Sequence, residues 1–74
     1  MNKDTSISKF WWLVGYSAHQ HPEWRAGQNT FNVLFQVRPD LSEQIRGGSI
    51  DAFHSDGGPR LDAMCQWIEE NWAK

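Results

Sequence analysis

Seventy-four residues allow one small domain, and 39% apolar with 22% charged residues describe a globule and not a disordered tail. The net charge of −2 argues against direct nucleic-acid binding by phosphate neutralisation, and one cysteine rules out an internal disulfide staple. The longest apolar run, Phe10 to Val14, is too short to span a bilayer, and no basic leader pattern opens the chain, so a cytoplasmic location is expected.

The chain opens with Asp4, Thr5 and Ser6, each with an oxygen able to cap a helix N-terminus. Ile7, Phe10, Trp11, Val14 and Ala18 then form one helical stripe, which predicts a helix over about 6–20. Gly15 weakens its middle by about 1 kcal/mol relative to Ala. His21-Pro22 ends it, because the residue before proline avoids the α region.

A second helix is predicted over about 26–38, with Phe31, Leu34, Phe35 and Arg38 on one face and Val33 and Val37 at its flanks. Alternation of Phe31, Val33, Phe35 and Val37 offers a strand instead, but no second strand of similar strength exists to pair with it. Pro39 starts a third, short helix over about 40–46, with Leu41 and Ile45 on its inner side and Gly47-Gly48 as its C-cap. An irregular loop over 48–58 follows. The last helix, about 59–73, carries Leu61, Met64, Cys65, Ile68 and Trp72 at helical spacing. The expected fold is therefore all-α: a compact single domain over 1–74, with two longer outer helices and two shorter inner ones.

Charge is uneven, since residues 38–74 carry four Lys/Arg against seven Asp/Glu. Glu69 and Glu70 lie near the negative end of the last helix, where local stability does not explain them. His19, His21, His54 and Cys65 are the residues from which a metal site could be assembled. Zinc sites usually show two close ligand pairs and this chain has one, so neither a metal nor any other cofactor is expected. Asp51, His54 and Asp56 are acid–base types on one loop, but no nucleophile turn accompanies them and the expectation is a non-enzyme. Cys65, on an apolar stripe, reads as a small hydrophobe.

Aromatic excess is the more informative signal: five Trp, four Phe and one Tyr make 14% of the chain. With the first helix's core stripe at zero, Trp12 and Tyr16 fall at about 140° and 180°, and His19 beside them at about 120°. Trp67 lies about 120° from Leu61 on the last helix. Two arrangements follow: the other helices wrap the first and bury both faces, or Trp12 and Tyr16 await a partner. The expected partner-binding set is Trp12, Tyr16, His19 and Trp67, with the acidic Asp51, Asp56 and Asp62 as the second candidate surface.

His21-Pro22-Glu23, Arg25-Ala26-Gly27-Gln28, Phe31-Asn32-x-Leu34, Arg38-Pro39-Asp40-Leu41 and Ile45-Arg46-Gly47 together resemble a family of small uncharacterised bacteriophage and prophage proteins. That family continues with an Asp-Pro-Phe loop and a helix bearing Trp-x-x-x-x-Trp, matched here by Asp51-Ala52-Phe53 and by Trp67 to Trp72. Ala52 departs from the proline, and Gly57-Gly58 lengthens the turn before the last helix. The resemblance implies a phage context and action in the host cytoplasm, without implying a chemistry. At the matching positions, Gln28, Asn32 and Arg46 are expected to hydrogen-bond the Asp51–Phe53 loop into place.

Size, acidity, surplus aromatics and the phage-like string together give the leading expectation. It is a small non-catalytic protein-binding factor, a stoichiometric inhibitor of a host defence or regulatory complex in the manner of anti-CRISPR proteins. Its partner would be a host or phage protein, such as a nucleic-acid-binding complex, with no direct contact to nucleic acid or membrane. The alternatives are a self-assembling phage accessory protein, dimeric through the Trp12/Tyr16 face, and a small metal-binding enzyme.

Overall fold

The computed structural model describes residues 5–73, so the candidate cap Asp4 lies outside the described residues. Its elements in order are α1 (Ile7–Gln20), α2 (Ala26–Val37), α3 (Pro39–Ile45) and α4 (Pro59–Asn71). No strand occurs among the described residues, and the Phe31–Val37 segment is helical. The chain is one small all-α domain.

Each boundary has a local cause. Ser6 caps α1 by accepting from the Lys9 amide at 3.0 Å. The Arg25 amide donates to Gln28 Oε1 at the start of α2. Arg38 is at once the last cap of α2 and the first of α3, and Pro39 supplies the preset first turn. Gly47 follows α3 at φ +74°, a conformation that costs glycine least.

The core explains the inner and outer ranks. Seven residues of α2 are buried, against only Phe10 in α1 and Met64 and Ile68 in α4. Helix α2 packs on both α1 and α3, so it is the central element. Leu34, Phe10, Met64 and Ile68 are sealed at its centre, and Leu41, Ile45 and Ala52 close the far side.

Two positions differ from the periodicity. The buried arc of α2 runs through Thr30, Leu34 and Val37, which brings Val33 inside and leaves Phe35 about half exposed. The Arg46 guanidinium covers Phe35 instead, 5.6 Å from its ring and 5.4 Å from that of Phe31. In α1 the arc turns toward Leu13 and Ser17, which are half-buried, while Ala18 is exposed.

Helix α4 is tied on by its C-terminal end. Trp11 Nε1 donates to Glu69 Oε2 at 2.6 Å, which gives Glu69 a tertiary reason for its place at a negative helix end. Trp72 Nε1 donates to the Thr5 carbonyl, and the Trp72 carbonyl accepts from Arg38 Nη1 at 2.8 Å. Among the described residues, Arg38 is the buried charge. It forms a two-pronged pair with Asp40, at 3.0 and 2.9 Å, and lies over the Trp72 ring.

Candidate docking surface

The outer face of α1 carries Trp12, Gly15, Tyr16 and His19, all exposed, with Tyr16 and Gly15 also bordering the clefts between α1 and α2. Trp12 keeps 61% of its surface and Tyr16 54%, the largest values for big apolar side chains among the described residues. Their i, i+4 spacing stacks the rings nearly parallel, 5.5 Å apart and 8° from coplanar. Beside this ridge runs a groove of about 430 Å³, lined by Trp11, Trp12, Gly15, Tyr16 and His19. Gly15 forms its floor, and a Cβ built there would meet nothing within 4 Å.

Two further clefts lie between α1 and α2. One, of about 270 Å³, runs along Leu13, Tyr16, Ser17 and Val33; the other, about 360 Å³, along Val14, Ala18, Ala26 and Asn29. The ring pair His21–Trp24, stacked at 3.8 Å, borders both and fills the turn between the helices. Asn29 sits beneath, buried, with Nδ2 donating to the Val14 carbonyl.

The remaining candidates are dispersed. Trp67 is half-buried against the core and takes no part in lining the Trp12 groove. Asp51 is half-buried and holds its own loop: Oδ2 accepts from the Gly47 amide at 2.7 Å and Oδ1 from Phe53 at 3.0 Å. Asp56 pairs with Arg25 at 2.7 Å, and Asp62 lies exposed in the first turn of α4. The loop is thus held by Asp51 and by the Gly27 amide donating to Ser55 O, in place of the expected Gln28, Asn32 and Arg46. Those three are polar positions of the phage-like string, yet Gln28 serves its own helix start and Arg46 pairs with Glu43.

His21 bonds Glu23 and stacks on Trp24, His54 lies edge-on to Phe53, and Cys65 is half-buried in α4. Among the described residues, no three or more His, Cys, Asp or Glu side chains gather as a metal cage would require. Burial pushes the Cys65 thiol pKa up, and the charges of Asp62 and Glu69 push it further, which disfavours the nucleophilic thiolate.

Sequence reasoning missed two members of the groove. Gly15 was legible as a break in helix propensity with no turn to justify it. Trp11 was assigned wholly to the core, although its ring also borders the groove. The chain matches no family model, no curated protein and no solved structure. Among the described residues no helix is long and apolar enough to cross a membrane.

Proposed function

We propose that this chain is a small non-catalytic protein-binding factor of phage origin that docks through the outer face of α1. In this reading it acts in the host cytoplasm as a stoichiometric inhibitor of a host defence or regulatory complex. One observation carries the docking surface: the core closes without Trp12 and Tyr16, which stand stacked in solvent. Two such rings left in water forgo on the order of 1.5–3 kcal/mol each, energy that a partner recovers on burying them. The phage context is supported by the sequence string from His21 to Trp72. Asp51 and Asp56 are engaged within the chain, so the aromatic face and not the acidic loop leads.

Affinity capture from host lysate tests the reading. Wild-type protein is expected to recover one partner in a fixed ratio, and Trp12→Ala to lose it by about tenfold or more. Equal recovery by both proteins would place the docking surface elsewhere. No fixed-ratio partner from any of several hosts would sink the function itself.

A further inference from the structure

We infer that the cleft of about 360 Å³ beside Asn29 binds a small, neutral, flat aromatic molecule carrying one N–H or O–H donor, a site separate from the docking face of α1. Asn29 lines this cleft, and only 4% of the residue is exposed. Its Nδ2 donates to the Val14 carbonyl at 2.9 Å. That bond fixes the carboxamide, because the flipped group would set Oδ1 against the Val14 oxygen. Oδ1 is thus held on the other side of the group, buried and without a hydrogen-bond partner. Among the described residues it is the one buried side-chain polar atom in that state. An orphaned buried acceptor destabilises the chain, and a ligand donor that meets it removes the penalty.

The rest of the lining sets the ligand's class. Val14, Ala18, Pro22 and Ala26 give the cleft apolar walls, and Trp24 borders it with an aromatic ring. The other polar side chains there are engaged: Thr30 Oγ1 donates to the Ala26 carbonyl at 2.9 Å, and His21 Nδ1 lies 3.4 Å from Glu23 Oε2. No carboxylate, lysine or arginine lines the cleft, so a charged ligand would lose its hydration with nothing to replace it. A complementary ligand is therefore apolar except for one donor. Gly15, Ala18 and Ala26 are small, which leaves a slot between α1 and α2 suited to a flat ring. Trp24 offers that ring an edge-to-face or offset partner.

Oδ1 is covered by the chain, so the ring reaches it by parting the cleft wall. The wall that yields is the 21–25 turn, which belongs to no helix and sets the half-buried His21–Trp24 stack along the cleft. A buried water is held by two to four polar partners, whereas one unmet acceptor among apolar walls suits a ligand with one donor.

The test titrates indole and benzofuran into the full chain and follows both by NMR. The two molecules share a shape, but benzofuran carries a ring oxygen where indole carries its N–H. Indole is expected to shift the Asn29 side-chain amide and the Trp24 indole N–H saturably, with a Kd of about a millimolar. Benzofuran should bind about fivefold weaker or more, because it sets an acceptor against Oδ1. Asn29→Leu should abolish that preference, and if this variant does not fold, the two ligands on the wild-type chain decide alone. Trp12→Ala should leave indole binding within about twofold of wild type. No saturable shift at millimolar indole overturns the inference, as does equal binding of the two ligands or a folded Asn29→Leu that keeps the preference. Shifts centred on Trp12 and lost in Trp12→Ala overturn it too, by placing the ring on the outer face of α1.

Discussion

Replacing Gly27 by alanine is the most demanding test of how α2 and the 51–58 loop fit together. Gly27 is buried at the first turn of α2, and its amide donates to the Ser55 carbonyl at 2.7 Å. A Cβ at this position would overlap the Ala52 carbonyl oxygen and lie 2.7 Å from the carbonyl carbon and 2.9 Å from Ser55 O. All three are backbone atoms, so no rotamer change relieves the clash, and the loop must leave α2. Overpacking of this kind costs about 1–3 kcal/mol and the lost hydrogen bond about 0.5–1.5 kcal/mol. A domain this size holds on the order of 4–11 kcal/mol, and each kcal/mol moves Tm by about 4–8 °C. Gly27→Ala is therefore expected to lower Tm by about 10 °C or more, read by circular dichroism at 222 nm. Gly15→Ala is the internal control. Its Cβ meets nothing within 4 Å, so helix propensity alone acts and Tm should rise by a few degrees. A Gly27→Ala melt within 2–3 °C of wild type, roughly the noise of such a comparison, would refute the close approach of α2 to the loop.

Three other outcomes follow from the same structure. The hydrogen bonds from Arg38 hold the Asp40 carboxyl below its usual range, so its contribution is fully present above pH 3.8 and is lost as pH falls through the lower folded value. Asp40→Asn should thus melt below wild type at neutral pH, with a gap that shrinks on acidification below 3.8; a gap constant down to pH 2 would sink the pairing. Cys65, its thiol pKa raised by burial and by Asp62 and Glu69, should react with a disulfide reagent at pH 8 several-fold slower than free cysteine, and an equal rate would contradict that setting. Trp12→Ala should leave Tm within a few degrees of wild type, because the ring supports no core residue; a drop beyond about 8 °C would mean the ring is structural after all.

The fold was largely legible because helix starts and stops are local. Ser6, Pro39, Gly47 and Pro59 act within a turn of where they stand, and the helix bounds fall within two residues of the expected ones. What stayed hidden depends on which way each helix is turned about its axis. Phe35 matches a periodic face of α2 as well as Val33 does, and only the packing of α1 and α3 on either side selects Val33. Likewise the reason for Glu69 at a negative helix end lies in its partner Trp11, which tertiary placement sets, whereas Asp51 bonds within its own loop. Trp12 and Tyr16 were legible as lying opposite the core stripe. Whether a neighbouring helix covered them could not be read from α1 alone.

Apart from Trp67, half-buried against the core, and Phe35, covered by Arg46, the aromatic residues divide into two sets, and the division supports the docking reading. Trp11, Trp72, Phe10 and Phe31 bind the helices together: Phe10 lies 4.7 Å from Trp11 and 5.0 Å from Trp72, and both indole N–H groups have acceptors. Trp24 stacks on His21 and fills the first turn, and Phe53 packs edge-on against Phe31. Each of these rings has a partner that the fold requires. Among the described residues, Trp12 and Tyr16 make their ring contact with each other, at the edge of the cleft toward α2. Mutual stacking stabilises by about 0.5–1.5 kcal/mol, less than burying either ring would, so stability alone gives no reason for two large aromatics on that face. Stacking does fix both rings in place before any partner arrives. A partner then meets a preset ridge over an open Gly15 floor, and little side-chain freedom is left to lose on binding.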